Sequence, residues 1–295
     1  MMQLHILPLA PIMAKASAAL DRVSLGGGVL EPQGPVGAGN AQILLNAVAI
    51  MLMIVVPTIL TTFAFAWWFR ASNKKATYRP NWTYSGRIEL IVWGIPLLVV
   101  LFLSGVIWIG SRDQDPARPL AGEAKPFEIQ VVSLDWKWLF IYPEEGVASV
   151  NEIAMPAGRP AHFSLTSGTV MNMFYVPQLG SMIATMNGMV TELHLKADRP
   201  GYYYGQSAQF SGAGFADMHF LLRALSPDSF AQWTAEARKS GGALDENAYL
   251  ALARERAASP TRLYGSNDRT LFEKVASRRL HSDAEPPSGQ AQRME

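Results

Sequence analysis

Few side chains in this 295-residue sequence can do chemistry, and one absence sets the terms: there is no cysteine. Disulfides, thiolate metal sites and iron–sulfur ligation are thereby excluded. The segment Gly205 to Met218 (GQSAQFSGAGFADM) has the outline of a metal-binding loop, but its side chains are Ser207, Gln209, Ser211, Phe215 and Met218. Hydroxyl, amide and phenyl groups are poor ligands for a soft metal, and a lone thioether is a weak one. Met218 alternates with Phe220 and Leu222, which makes it a core residue. The histidines do not rescue a site. His162 and His194 alternate with apolar neighbours and are expected to face solvent. His219, two residues after Asp217, is read as a surface histidine. His5 and His281 fall in the terminal tails. No Ser/His/Asp set, phosphate-cradling glycine loop or paired carboxylate motif stands out. One carboxylate does: Glu89, in Arg87-Ile88-Glu89-Leu90, opens a long apolar run. A charge at such a boundary is costly unless it lies at an interface or on a water path.

The elements that must carry these residues begin with that apolar run. The chain is 49% hydrophobic with a net charge of +1, which suits one folded domain plus membrane segments and excludes a nucleic-acid surface. From Pro32 to Phe69 there is no Asp, Glu, Lys or Arg. A span needs about 20 apolar residues to cross a core of about 30 Å. Two membrane helices are expected, over about 41–69 and 89–110, with Pro57 inside the first and Trp67, Trp68, Trp93 and Trp108 near the ends. Their connection holds Arg70, Lys74, Lys75, Arg79 and Arg87 and no acid, so the positive-inside rule places it in the cytoplasm and both termini in the periplasm. Residues 1–39 read as a tail or signal segment. Leu4 to Ala14 is apolar and followed by small-x-small patterns, but no basic start precedes it, so cleavage stays open.

Residues 112–225 read as an exported β-domain. Phe127, Ile129 and Val131 alternate, then the phase slips to Val132, Leu134, Trp136, Trp138 and Phe140, which predicts a bulge. Further alternating pieces are Ala161/Phe163/Leu165, Met189/Thr191/Leu193/Leu195 and Met218/Phe220/Leu222/Ala224. Turn signals between them predict a sandwich of short strands. Over 226–280 the period becomes helical. Ser226-Pro227 starts a helix carrying Phe230, Trp233 and Ala237. Asp245 caps a second, with Tyr249, Leu252 and Ala253, ended by Ser259-Pro260. Leu271, Phe272 and Val275 suggest a third. The polar 281–295 tail is expected to be disordered.

Several consecutive segments carry a family resemblance: Phe65-Ala66-Trp67, Arg70-Ala71-Ser72-Asn73-Lys74, Pro80-Asn81-Trp82, Leu134 to Trp138, Phe140 to Glu144, Val150 to Ala154 and Ser211 to Phe215. Over about residues 30–280 the chain resembles subunit II of the haem–copper oxidases, most closely the cytochrome bo-type ubiquinol oxidase branch. The resemblance implies a membrane α+β fold: a two-helix transmembrane hairpin, a periplasmic cupredoxin-like β-sandwich and short C-terminal helices. In copper-bearing relatives the loop holds a dinuclear copper centre (CuA). Here the matching ligand positions are Asn172, Ser207, Gln209, Ser211 and Phe215, with only Met218 in kind; Asn172 is placed by the turn Pro177-Gln178-Leu179-Gly180. Trp136 and Trp138 match an aromatic pair that serves electron entry there, and packing is the reading favoured here. Glu89 matches the entrance of a proton-uptake channel; an ion pair with Arg87 or contact with headgroups is the equal alternative. No lipobox cysteine precedes Leu30-Glu31-Pro32-Gln33-Gly34, so lipoprotein processing is not expected.

The function so implied is subunit II of a proton-translocating ubiquinol oxidase in a bacterial inner membrane. It would be a structural and assembly subunit that binds no cofactor itself. Haem b, haem o, one copper (CuB) and ubiquinone would sit in subunit I. The implied partners are subunits I, III and IV, membrane lipid, and ubiquinol through subunit I, with neither cytochrome c nor nucleic acid. The rivals are a menaquinol oxidase subunit II, a cytochrome c oxidase subunit II, and a stand-alone membrane-anchored cupredoxin-like protein.

Overall fold

The computed structural model describes residues 28–77, 79–120, 125–257 and 259–280. The signal-segment and lipobox readings, His5, His281 and the 281–295 tail lie outside the described residues. The chain divides into two compact units, Gly39–Asp115 and the remainder.

The first unit is built from two helices, α1 (Pro35–Trp68) and α2 (Gly86–Asp113), both long and apolar enough to cross a membrane. Both run past the apolar stretches that announce them. Proline at the first helical position needs no N–H bond, so α1 starts at Pro35. Pro57 withholds an N–H from the middle of α1. Around it, the Thr58 hydroxyl donates to the Ile54 carbonyl and the Thr62 hydroxyl to the Thr58 carbonyl, both at 2.8 Å, so neither hydroxyl is left bare in an apolar surround. The carbonyl end of α1 is closed by Arg70 Nη1 on Trp67 O (2.9 Å) and Asn73 Nδ2 on Trp68 O (2.6 Å). The helices approach closely at Gly110, where a Cβ would stand 2.6 Å from Ile43 Cδ1. Elsewhere their apolar side chains are open, with Phe63, Leu90 and Trp93 at least 70% exposed.

The second unit is a β-sandwich with a C-terminal arm. Its strands are β1 (Phe127–Leu134), β2 (Lys137–Tyr142), β3 (Val147–Val150), β4 (Glu152–Pro156), β5 (Ala161–Ser167), β6 (Asn172–Tyr175), β7 (Ile183–Thr185), β8 (Thr191–Leu195), β9 (Gly201–Ser207) and β10 (His219–Leu225). The arm holds α3 (Pro227–Lys239), β11 (Ala243–Leu244), α4 (Glu246–Arg254), β12 (Arg262–Tyr264), β13 (Ser266–Asn267) and α5 (Leu271–Ala276). One sheet runs β12-β3-β2-β1-β5-β8, the other β4-β10-β9-β6-β7. The arm is thus woven into the sandwich: β12 pairs with β3, placing Leu263 opposite Ser149.

The slip between Val131 and Val132 is not a bulge: β1 pairs with β2 without a break from Gln130 to Leu134, Val132 and Leu134 are buried on the strand's other face, and the parity changes only at the hairpin corner. Leu134 pairs with Lys137, so Asp135 and Trp136 form a two-residue turn, and Trp136 takes φ 59°. The turn reverses the parity. Val131, Trp138, Phe140 and Tyr142 face the second sheet, whereas Val132, Leu134, Leu139 and Ile141 face the other way. That outward face is buried too, against Tyr249, Leu252, Leu271, Phe272 and Val275 of the arm. The inner core centres on Trp138, which meets Phe174 edge-on at 5.4 Å and Phe220 at 5.7 Å.

Three further expectations change. Met189 is not in a strand; it follows Gly188 (φ 78°) in the turn before β8 and is 54% exposed. The helix α4 stops at Arg254, well before Ser259-Pro260. Its open carbonyls are taken there by a lysine from the hairpin, Lys137. Finally, His194 is 6% exposed rather than solvent-facing. The outer side of the edge strand β8 is covered by the segment after α2, with His194 N–H donating to Pro116 O at 3.0 Å.

Candidate functional site

The loop after β9 and the start of β6 lie together because β6 and β9 are antiparallel neighbours, with Phe174 opposite Ser207. Asn172 is fully buried and Ser207 nearly so. Ser207 Oγ donates to Asn172 Oδ1 at 3.2 Å, while Asn172 Nδ2 donates to Val170 O at 3.2 Å. The Asn172 carbonyl accepts from the Thr185 hydroxyl at 3.2 Å, and Thr185 meets Ser133 at 2.8 Å. Buried polar groups are thus satisfied by one another across both sheets. Ser211 Oγ sits 4.0 Å from Met218 Sδ, and Met218 is buried in the inner core. Gln209 is exposed, and Phe215 is half-buried with its ring edge-on to Phe210 at 5.7 Å. The structure therefore gathers Asn172, Ser207, Ser211, Met218 and the backbone of Gln209, whose carbonyl accepts from Ser207 Oγ at 3.3 Å, while the Gln209 side chain is exposed and Phe215 packs on Phe210. A hydroxyl, an amide and a thioether engaged in this way do not fit a copper centre.

Comparison with known proteins places this arrangement. Residues 129–225 match the family "Cytochrome C oxidase subunit II, periplasmic domain", and residues 238–278 match the "COX Aromatic Rich Motif". A ubiquinol oxidase subunit 2 of Acetobacter aceti is 48% identical over 227 residues, which is 76% of this chain and 74% of that one. This chain belongs to the ubiquinol oxidase subunit II family. The cytochrome bo(3) ubiquinol oxidase subunit 2 of Pseudomonas putida is 44% identical over 250 residues, covering 85% of this chain and 80% of that one. A quinol oxidase subunit 2 of Bacillus anthracis is 35% identical over 222 residues, 75% and 76% of the two chains. Among solved structures, the periplasmic domain of subunit II of cytochrome oxidase from Bradyrhizobium japonicum is 26% identical, covers 41% of this chain and 98% of its own, and has a TM-score of 0.38.

As a ubiquinol oxidase subunit II, the chain is part of a membrane-anchored oxidoreductase complex and has a cupredoxin-like domain. Glu89 lies in the first turn of α2, with its side chain exposed. Arg87 is two residues away, a spacing that does not put two side chains on one helix face. Trp136 is half-buried at the hairpin corner, its indole N–H donating to Ser211 O at 3.1 Å. Trp138 is in the core. His219 is exposed and stacks on Tyr204 at 5.9 Å.

Sequence reasoning missed two sets of residues. Lys137 is fully buried, and its ammonium donates to Leu252 O (3.0 Å) and Glu255 O. Burial pulls its pKa below the ordinary lysine value, with the Glu255 and Asp135 charges opposing. The signal was present: Lys137-Trp138-Leu139-Phe140-Ile141-Tyr142 is apolar at both parities apart from the lysine, the mark of a strand covered on both faces. The second set is the row Glu128, His162 and His194, cross-strand partners on β1, β5 and β8. The imidazoles stack at 4.6 Å, and His162 Nδ1 is 2.7 Å from Glu128. Burial first, then the neighbouring His162, holds the His194 pKa below the usual histidine value.

Proposed function

We propose that this chain is the subunit II of a proton-translocating ubiquinol oxidase of a bacterial inner membrane, and that its exported domain carries no electrons. The complex would oxidise ubiquinol and reduce oxygen to water. Haem b, haem o, one copper and the ubiquinol site are assigned to subunit I, with subunits III and IV as further partners. The supporting observation is the donor set at the loop: Asn172 and Ser207 spend their polar atoms on each other and on neighbouring backbone. The relatives named as ubiquinol oxidase subunits are more similar to this chain, at 48% and 44% identity, than the Bacillus quinol oxidase subunit is, at 35%, which supports ubiquinol as the donor. The basic connection holding Lys74, Lys75, Arg79 and Arg87 is assigned to the cytoplasm, and residues 112–225 with the 226–280 extension to the periplasm.

Metal and haem analysis of the complex isolated through this chain tests the reading. One copper for two haems is expected, with turnover on ubiquinol and none on reduced cytochrome c. Three coppers per complex, or recovery of a haem-free monomer, overturns it. Within the same reading, Glu89 marks proton entry from the cytoplasm. Glu89→Ala is expected to slow turnover and proton uptake severalfold at unchanged haem content; wild-type turnover in the assembled complex removes Glu89 from the path.

A further inference from the structure

The hairpin corner at Trp136 is strained. A bulky residue with φ 59° is disfavoured and persists only where its surroundings over-determine it. Both flanking residues are tied to the C-terminal arm. Lys137, fully buried, closes the carbonyl end of α4 through Leu252 O and Glu255 O, where a cation also meets the negative end of the helix dipole. Asp135 pairs with Arg256, just past that helix, at 3.4 Å.

Trp136 itself reaches the other way. Its indole N–H donates to Ser211 O at 3.1 Å. The ring lies against Gly212 and Gly214, and a Cβ on Gly214 would run into it. Gly212, at φ 110°, lets the loop bend around the ring. Among the described residues, the other hydrogen bonds of the 210–215 segment go to near neighbours in sequence: Phe215 N–H to Gly212 O, Asp217 N–H to Gly214 O and Met218 N–H to Phe215 O, each at 3.1 Å, and Ser211 Oγ to Met218 Sδ. The arm also touches two more connections at this end of the sandwich. Arg278 Nη2 donates to Asn187 O at 2.8 Å, and the Tyr249 hydroxyl lies where a Cβ on Gly168 would be.

We propose that the C-terminal arm sets the conformation of the 210–215 loop, acting through Lys137 and Trp136, and that Lys137 is a positioning residue for it. The arm is then more than a cover for the outer face of the sheet. It shapes an exposed tip on which Phe210 is 74% open.

Hydrogen exchange on the full-length chain in its isolated complex tests this. Lys137→Met keeps the aliphatic stem and deletes the charge-assisted bonds. It should speed exchange over 210–215 at least about tenfold, with β9 and β10 unchanged. Lys137→Arg should restore most of the protection. Phe163→Leu, which weakens the inner core without touching the clamp, should leave the loop at its wild-type rate. Wild-type loop exchange in Lys137→Met overturns the proposal, as does a uniform rise across all strands. Should Lys137→Met not fold, Trp136→Gly carries the test, because glycine accepts the corner's φ while removing the indole. The loop should then open while residues 246–256 stay protected, and an unchanged loop overturns the proposal.

Discussion

The six-stranded sheet has two dry faces made in different ways. Its inner face meets the second sheet, and the contact is aromatic: Trp138, Phe140, Phe174 and Phe220 close on one another with centroids 4.9 to 5.7 Å apart. Its outer face is aliphatic, with Val132, Leu134, Leu139, Ile141 and Val150, and is covered by α4 and α5, which lie on either side of β12 in the chain. The cover is partial. Towards the Leu134 end of β1 it is the arm, whereas towards the Phe127 end the same face carries Glu128 on β1, His162 on β5 and His194 on β8, sheltered by the segment at Pro116. The inner face is made mostly by the sandwich, with Trp233 and Ala237 of α3 closing one side. The outer face depends on what comes later in the chain, and the buried Lys137 shows how closely it does: a charge is tolerated there only because α4 ends on it.

The comparison breaks most visibly from inside. Trp138→Ala empties the centre of the aromatic cluster, and a loss of about 3–5 kcal/mol is expected, read as a lower guanidinium midpoint for the detergent-solubilised chain. The arm should unfold with the sandwich. An arm that melts separately would show the two faces to be independent units. Phe272→Ala cuts the outer cover near its edge, and a loss of about 3 kcal/mol, the low end for a buried phenylalanine, is expected. Here the loss should concentrate in the amides of 243–276, with β9 and β10 still protected. Equal loss across both sheets would mean the outer face is as deeply integrated as the inner.

The two faces also differ in how legible they are. The inner face is written in alternation: Phe127/Ile129/Val131 and Phe220/Leu222/Ala224 all point inward. The arm helices announce their starts, with Ser226 accepting from Ser229 N–H at 3.3 Å and Asp245 from Ala248 N–H at 2.8 Å. Family resemblance points to Asn172 together with Ser207, and the two are hydrogen-bonded. What alternation cannot convey is what covers a face. Lys137 meets Leu252 across 115 residues of sequence, and His194 meets Pro116 across 78. The Val131/Val132 slip has a related cause, since burial on both faces breaks a period of two as a bulge does. Pairing, not pattern, separates them.

A gentler cut sharpens the boundary of the cover. Asp245→Ala removes the N-cap of α4 and leaves its core contacts in place. About 1 kcal/mol is expected, as faster exchange at the first turn of that helix. If Lys137 alone secures the helix, the far end near Leu252 should stay protected. Opening along the whole helix would assign the cap the larger share.

The smallest effect belongs to the part of the outer face that the arm does not reach. His194 is buried against Pro116 and stacked on His162, while Glu128 on β1 and Glu192 on β8 face His162 at 2.7 and 3.9 Å. Burial lowers the His194 pKa, so the folded state prefers the neutral ring. Between that lowered value and the ordinary 6.5, the unfolded chain binds more protons than the folded one. Stability is therefore complete above about pH 6.5 and declines as the pH falls through the folded pKa. The carboxylates of Glu128 and Glu192 oppose the shift and keep it modest. His194→Gln keeps a polar side chain there without a titrating group. Thermal midpoints of the variant and the wild type should run parallel above pH 7 and diverge below 6, the wild type falling more steeply. Parallel curves throughout would mean that the outer face is insensitive to acid where the histidines stand, and that the Pro116 segment rather than the ring charge governs that edge.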